Sequence, residues 1–188
     1  MKMLAETKAL KELQTLKSTY QNFIKANYEN NAEDCQTCPT KGVCCLDAHF
    51  VNVHITKLEA VAIGKTLALL SEEKQREVYG RAAETVKKYN LKTSSDTFLK
   101  TFACPLFEKG IGCLVHSSAK PAPCIQHACY ENKADLPPEK LQEDTENQIE
   151  RLNRRTYGNA FVWLALPIWL GLVNPFEEEN DELRMLNV

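Results

Sequence analysis

Eight cysteines lie along this chain in two groups of four, and their placement restricts the fold more than any other feature. The first group reads Cys35-x2-Cys38-x5-Cys44-Cys45, the second Cys104-x8-Cys113-x10-Cys124-x4-Cys129, and 46–103 contains none. Pro39 and Gly42 punctuate the first group; Pro105, Gly110, Gly112, Pro121 and Pro123 punctuate the second. Glycine and proline at this density mark loops, whereas the cysteine-free stretch has helical periodicity. Random scatter does not usually fill the loops and leave the helices empty. A C-x2-C turn lets two thiolates converge on one ion, and clustered thiolates become tolerable once a cation neutralises them. The pattern therefore points to metal held by at least four of the eight.

The alternatives are weaker. A chain of 188 residues buries an adequate core without staples, so small size does not explain the cysteines. Met1 to Leu16 is studded with Lys and Glu and lacks the apolar run of a secretory signal, which predicts a cytoplasmic protein. In that reducing compartment thiols serve as ligands or redox groups more often than as disulfides. The formal charge of −2 offers no basic excess for nucleic acid. The vicinal pair adds a constraint, because adjacent side chains are expected to point well apart. Cys44 and Cys45 then serve two centres, or one is a ligand and the other a neighbouring or reactive thiol. Eight thiolates suit two zinc sites, a cluster plus a zinc, or one cluster with four spare cysteines. Zinc and iron–sulfur clusters share soft thiolate ligands, so the sequence does not choose between them.

The rest of the chain predicts a mainly α protein, a single helical domain over 1–188 with the two cysteine-rich loops converging on a metal or cluster site. Residues 1–34 carry an N-terminal helix to about residue 30, with Leu10, Leu13, Leu16, Tyr20, Phe23, Ile24 and Tyr28 at three- and four-residue steps. The cysteine-cluster core spans 35–129. Within it, His49–Ile55 alternates weakly as an extended run, and Thr56 with Glu59 forms a capping box opening a helix through Leu70. Ser71 caps a second helix over 72–89, with Val78, Ala82, Thr85, Val86 and Tyr89 inward. Over 130–176, a helix from Glu139 to Thr156 follows Pro137-Pro138, and Gly158 ends or bends it. Residues 160–173 (AFVWLALPIWLGLV) are strongly apolar, but 14 residues interrupted by Pro167 fall short of the ~20 of a membrane span. They read as buried core or as a protein-docking surface. The acidic tail 177–188 is expected to fray.

Other chemistry is thinly represented. His116 and His127 lie among the second cysteines and are second-sphere donors first and ligands second; His49 and His54 are weaker candidates still. Ser117-Ser118 beside His116 has nothing to order a triad, and Gly110-x-Gly112 lacks the remainder of a phosphate loop.

The cysteine spacing resembles the CxxCxxCC, or YkgJ-like, cysteine-cluster family, described as zinc- or iron-chelating. The resemblance is carried by Cys35-x2-Cys38-x5-Cys44-Cys45, Ile55-Thr56-Lys57-Leu58-Glu59, Phe102-Ala103-Cys104-Pro105-Leu106-Phe107, Gly112-Cys113-Leu114-Val115-His116 and Pro121-Ala122-Pro123-Cys124 with Cys129. It spans about residues 35–129 and implies that all eight cysteines are metal ligands. The chain departs from the family in its longer Cys38–Cys44 spacing. It also carries His116 where the family tends to have Tyr, and Lys120, Ala122 and Ile125 where it tends to have Arg. One branch of the family is linked to lysine N-methylation of flagellin. Three functions follow as expectations: a structural or electron-transferring metal protein; a cluster-dependent redox or group-transfer enzyme; and an adaptor docking a partner through 160–173.

Overall fold

The computed structural model describes residues 3–33, 38, 40, 42–46, 52–94, 96–158 and 163–176. The chain is mainly helical: α1 (Glu6–Asn27), α2 (Lys57–Leu67), α3 (Glu72–Lys88), α4 (Ala122–Gln126), α5 (Glu139–Tyr157) and α6 (Leu166–Leu172). Two short antiparallel pairs complete it. β1 (His54–Ile55) pairs with β4 (Leu164–Ala165), and β2 (Phe107–Glu108) pairs with β3 (Gly112–Cys113).

Helices α2, α3 and α5 begin or end for local chemical reasons. In α2 the Thr56 hydroxyl accepts from the Glu59 amide while the Glu59 carboxylate accepts from the Thr56 amide, so two otherwise orphaned donors are satisfied reciprocally. The Ser71 hydroxyl accepts from the Lys74 amide at the start of α3, where Glu72 and Glu73 also favour the positive end of the helix dipole. Pro138 caps α5, and Gly158, at φ +81°, ends it in a conformation that L side chains rarely adopt.

The main core lies between α3 and α6, with Ile55, Ile63, Val78, Ala82, Phe102, Leu166 and Leu170 buried together. A second cluster joins α1, α2, α4 and α5 through Leu13, Leu58, Ala122 and Ile149. A third packs Tyr20 and Ile24 of α1 on Ile125 of α4. The apolar segment enters the first core: β4 pairs with β1, the Leu166 amide donates to the Val53 carbonyl at 2.9 Å, and Leu164 through Leu170 are buried. Leu164 through Leu170 expose no apolar patch for a docking partner, and 160–162 lie outside the described residues. Trp163 is half-buried and donates from its indole to Glu150 at 2.8 Å. No helix among the described residues is long and apolar enough to cross a membrane.

Several expectations shift in detail. The buried stripe of α1 is Ala9, Leu13, Lys17, Tyr20 and Ile24; Phe23 is exposed and rests beside Tyr28 instead. Helix α2 stops at Leu67, and the turn that follows leaves Leu69 86% exposed. The loop-rich second cysteine segment contains the β2–β3 hairpin and the one-turn helix α4, both too short to produce a readable period. His49, the head of the extended run and the acidic tail 177–188 lie outside the described residues.

Candidate functional site

The first cysteine segment is stitched to the second by backbone hydrogen bonds near both of its ends. The Glu33 amide donates to the Cys129 carbonyl at 2.7 Å, and Ala32 forms an antiparallel bridge with Tyr130. At the other end, the Cys104 amide donates to the Cys45 carbonyl at 2.9 Å. Between these ties, Gly42 adopts φ +83° and lies directly against the Phe107 ring of β2; a Cβ at this position would fall inside that ring. Glycine is required here twice over, for its left-handed backbone and for the close approach.

Each cysteine is placed by its own piece of local structure. Cys44 and Cys45 lie in a 3-10 turn over Val43–Cys45. Cys113 sits in β3 opposite Phe107 and closes a turn through its carbonyl to the His116 amide, 3.1 Å. Cys124 is in the middle of α4, which is anchored to α1 by Ile125 packing and by the Tyr20 hydroxyl donating to Gln126 at 2.5 Å. Cys38 is half-buried, with its sulfur 3.8 Å from the Thr40 hydroxyl. Cys35 lies outside the described residues. The seven described cysteines are all free thiols.

Five sulfurs lie within electrostatic reach of one another. The Cys44 thiol is held well below its ordinary range by a hydrogen bond from Cys45 and another from His127. Its partner Cys45 is driven up by that same bond, then by burial and by the charges of Cys104, Cys44 and Cys124. Burial pushes Cys104 up to about 12, with Cys113 adding to it. Burial also raises Cys113 and Cys124, to which neighbouring cysteines contribute again. One thiolate is thus readily formed at Cys44 while the sulfurs around it hold their protons, as expected for anionic groups crowded into a low dielectric.

Cys44 and Cys45 are close enough for their titrations to be linked, the same interaction lowering one thiol and raising the other. His127 lies close enough to Cys44 to lower its pKa. His116 does not join the sulfurs through any hydrogen bond among the described residues. His54 is remote in role: its Nε2 lies 2.7 Å from the Thr97 hydroxyl and its ring stacks on Phe98 at 3.9 Å.

Two groups of charged residues hold this region in place without having been singled out in the sequence. Arg81 of α3 donates from Nε to the Pro105 carbonyl at 3.0 Å, next to Cys104, and pairs with Glu77 at 3.0 Å. Lys74 bridges Glu77 and Glu108 at 2.8 and 2.7 Å, tying α3 to the β2–β3 hairpin. On the other side, Lys17 of α1 and Glu59 of α2 form a buried ion pair at 2.7 Å. Asn153 of α5 accepts from the Leu58 amide at 3.0 Å beside them. Lys17 was legible in principle, as a charged residue in register with the apolar stripe Leu13–Tyr20–Ile24.

Among the described residues, no group of three or more His, Cys, Asp or Glu side chains is placed to hold a metal ion. The donor chemistry nevertheless suits a thiophilic cation: free, crowded sulfurs with a histidine and several cationic side chains around them. No family model, curated protein or solved structure matches the chain.

Proposed function

We propose that this protein holds a thiolate-bound metal centre, zinc or an iron–sulfur cluster, between its two cysteine-bearing segments. The pair of backbone ties, Glu33 to Cys129 and Cys45 to Cys104, carries this reading, since they draw two segments distant in sequence together around free thiols. The ligand candidates are Cys35, Cys38, Cys44, Cys45, Cys104, Cys113, Cys124 and Cys129, with His127 as a donor that orients Cys44. The resemblance to the YkgJ-like cysteine-cluster family supports the same set. Bound metal would supply the positive charge that lets several of these thiols ionise together; zinc would act structurally, whereas a cluster would also carry electrons.

A structural or electron-transferring role is favoured over group transfer. An enzyme of the second kind needs a substrate pocket beside the sulfurs, lined by groups such as Cys45, His116 or His127. A cleft of about 30 Å³ among the described residues includes His116 but neither Cys45 nor His127. Anaerobic purification, elemental analysis and an absorption spectrum test the proposal. Stoichiometric zinc in colourless protein, or iron with sulfide and broad visible absorption, supports it; a folded, metal-free chain refutes it.

A further inference from the structure

Arg81 of α3 reaches across to the turn that carries Cys104. Its Nε donates to the Pro105 carbonyl at 3.0 Å. That turn is closed by the Phe107 amide, which donates to the Cys104 carbonyl at 3.2 Å. A second guanidinium nitrogen, Nη1, pairs with Glu77 at 3.0 Å. The third, Nη2, is buried and has no hydrogen-bond partner among the described residues.

The guanidinium is planar, and its five N–H donors form a rigid fork. The Nε–H and one N–H of Nη2 leave the same edge of that plane side by side. The bond from Nε to Pro105 therefore aims Nη2 at the same stretch of chain, the Cys104–Pro105 segment. Glu77 does not take up this donor, because one of its oxygens accepts from Nη1 and the other from Lys74. Cys104 packs on the main core, and the charge of Arg81 is felt at its sulfur. A buried N–H without an acceptor is costly. A neutral thiol is a weak acceptor, whereas hydrogen bonds to ionised groups are the strong ones.

We propose that Arg81 is a positioning residue for the metal centre, its Nη2 donating to the Cys104 thiolate once metal displaces the thiol proton. This inference rests on the metal-binding function proposed above. It adds a residue from outside both cysteine segments. Arg81 fixes the Cys104 turn through Pro105 and offsets part of the negative charge that gathers when thiols ionise around a cation.

The test uses the full chain, reduced and stripped of metal anaerobically, with cobalt(II) alone as the probe. Affinity is measured against a competing chelator, and the thiolate-to-cobalt charge-transfer band is recorded. Arg81→Met should weaken cobalt binding about tenfold or more, the usual scale for losing a group that orients a metal ligand. The band should also move to longer wavelength, because a thiolate that accepts fewer hydrogen bonds gives up its electrons more readily. Arg81→Lys keeps the charge but not the fork, and should recover only part of the affinity. Glu77→Gln removes an exposed ion pair and leaves Nη2 in place, so it should bind cobalt within about twofold of the parent. Parent protein that takes up no cobalt overturns the metal centre itself. Parent affinity and band position in Arg81→Met, or an equal loss in Glu77→Gln, overturns the role of Arg81 alone.

Discussion

The Cys104 amide donates to the carbonyl of Cys45 across 2.9 Å, joining two residues on opposite sides of the cysteine-free stretch. Two helices, α2 and α3, lie between them in sequence, so the tie depends on those helices folding back on the apolar core. The thiols gather because the core brings their backbones together, and the Phe107 ring against Gly42 keeps the segments at that separation.

Gly42→Ala should therefore separate the two segments. The positive φ alone makes a side chain there unfavourable by about 1–2 kcal/mol, and the new Cβ must also displace the Phe107 ring. Urea unfolding should show at least that loss, and metal content per chain should fall. A variant with unchanged stability and metal content would remove Gly42 from this account.

The buried pair Lys17–Glu59 sets up a different contrast. Lys17→Met leaves a carboxylate buried without its counter-ion and should cost about 3–5 kcal/mol. Adding Glu59→Gln removes that charge and keeps a capping-box side chain at the start of α2, so the double variant should recover most of the loss. Chemical denaturation of the three proteins measures the coupling. Additive losses would mean that the pair does not act as a unit.

Metal removal should destabilise the whole fold if the centre is structural. A chelator should lower the Tm of the anaerobically purified protein by more than about 5 °C, corresponding to ~2 kcal/mol for a chain of this size. Cys124→Ser should start from the lower Tm, contain less metal and respond little to chelator. Cys38→Ser should lose metal and stability together. Loss of metal from either variant with an unchanged Tm argues for a redox or transport role instead.

His54 makes stability depend on pH. Burial lowers its pKa below the ordinary 6.5, opposed by its bond to the Asn52 backbone and by Asp96. The unfolded chain therefore takes up this proton at a higher pH than the folded one, and stability rises with pH in that window. The contribution is complete above pH 6.5 and is lost as pH falls through the folded value. His54→Gln should flatten the slope of unfolding free energy between pH 7 and about 5 relative to the parent. His116, lowered by burial and by Lys120, contributes a slope of the same sign. An unaltered slope in the variant would exclude His54 as its source.

Local chemistry made much of the architecture legible in advance. The capping box of Thr56 and Glu59, the Ser71 cap, the Pro138 start and the Gly158 stop all depend on groups within a few residues of one another, so α2, α3 and α5 could be read from spacing. The cysteine grouping showed which segments carry thiols for the same reason. What tertiary structure alone decided is how those pieces meet. Glu59 caps its own helix and also faces Lys17 from another, and Cys45 lies beside Cys104 only after the core has formed. Spacing along a chain encodes neighbours within a turn or two, whereas contacts between distant segments are selected by the burial and packing of the whole molecule.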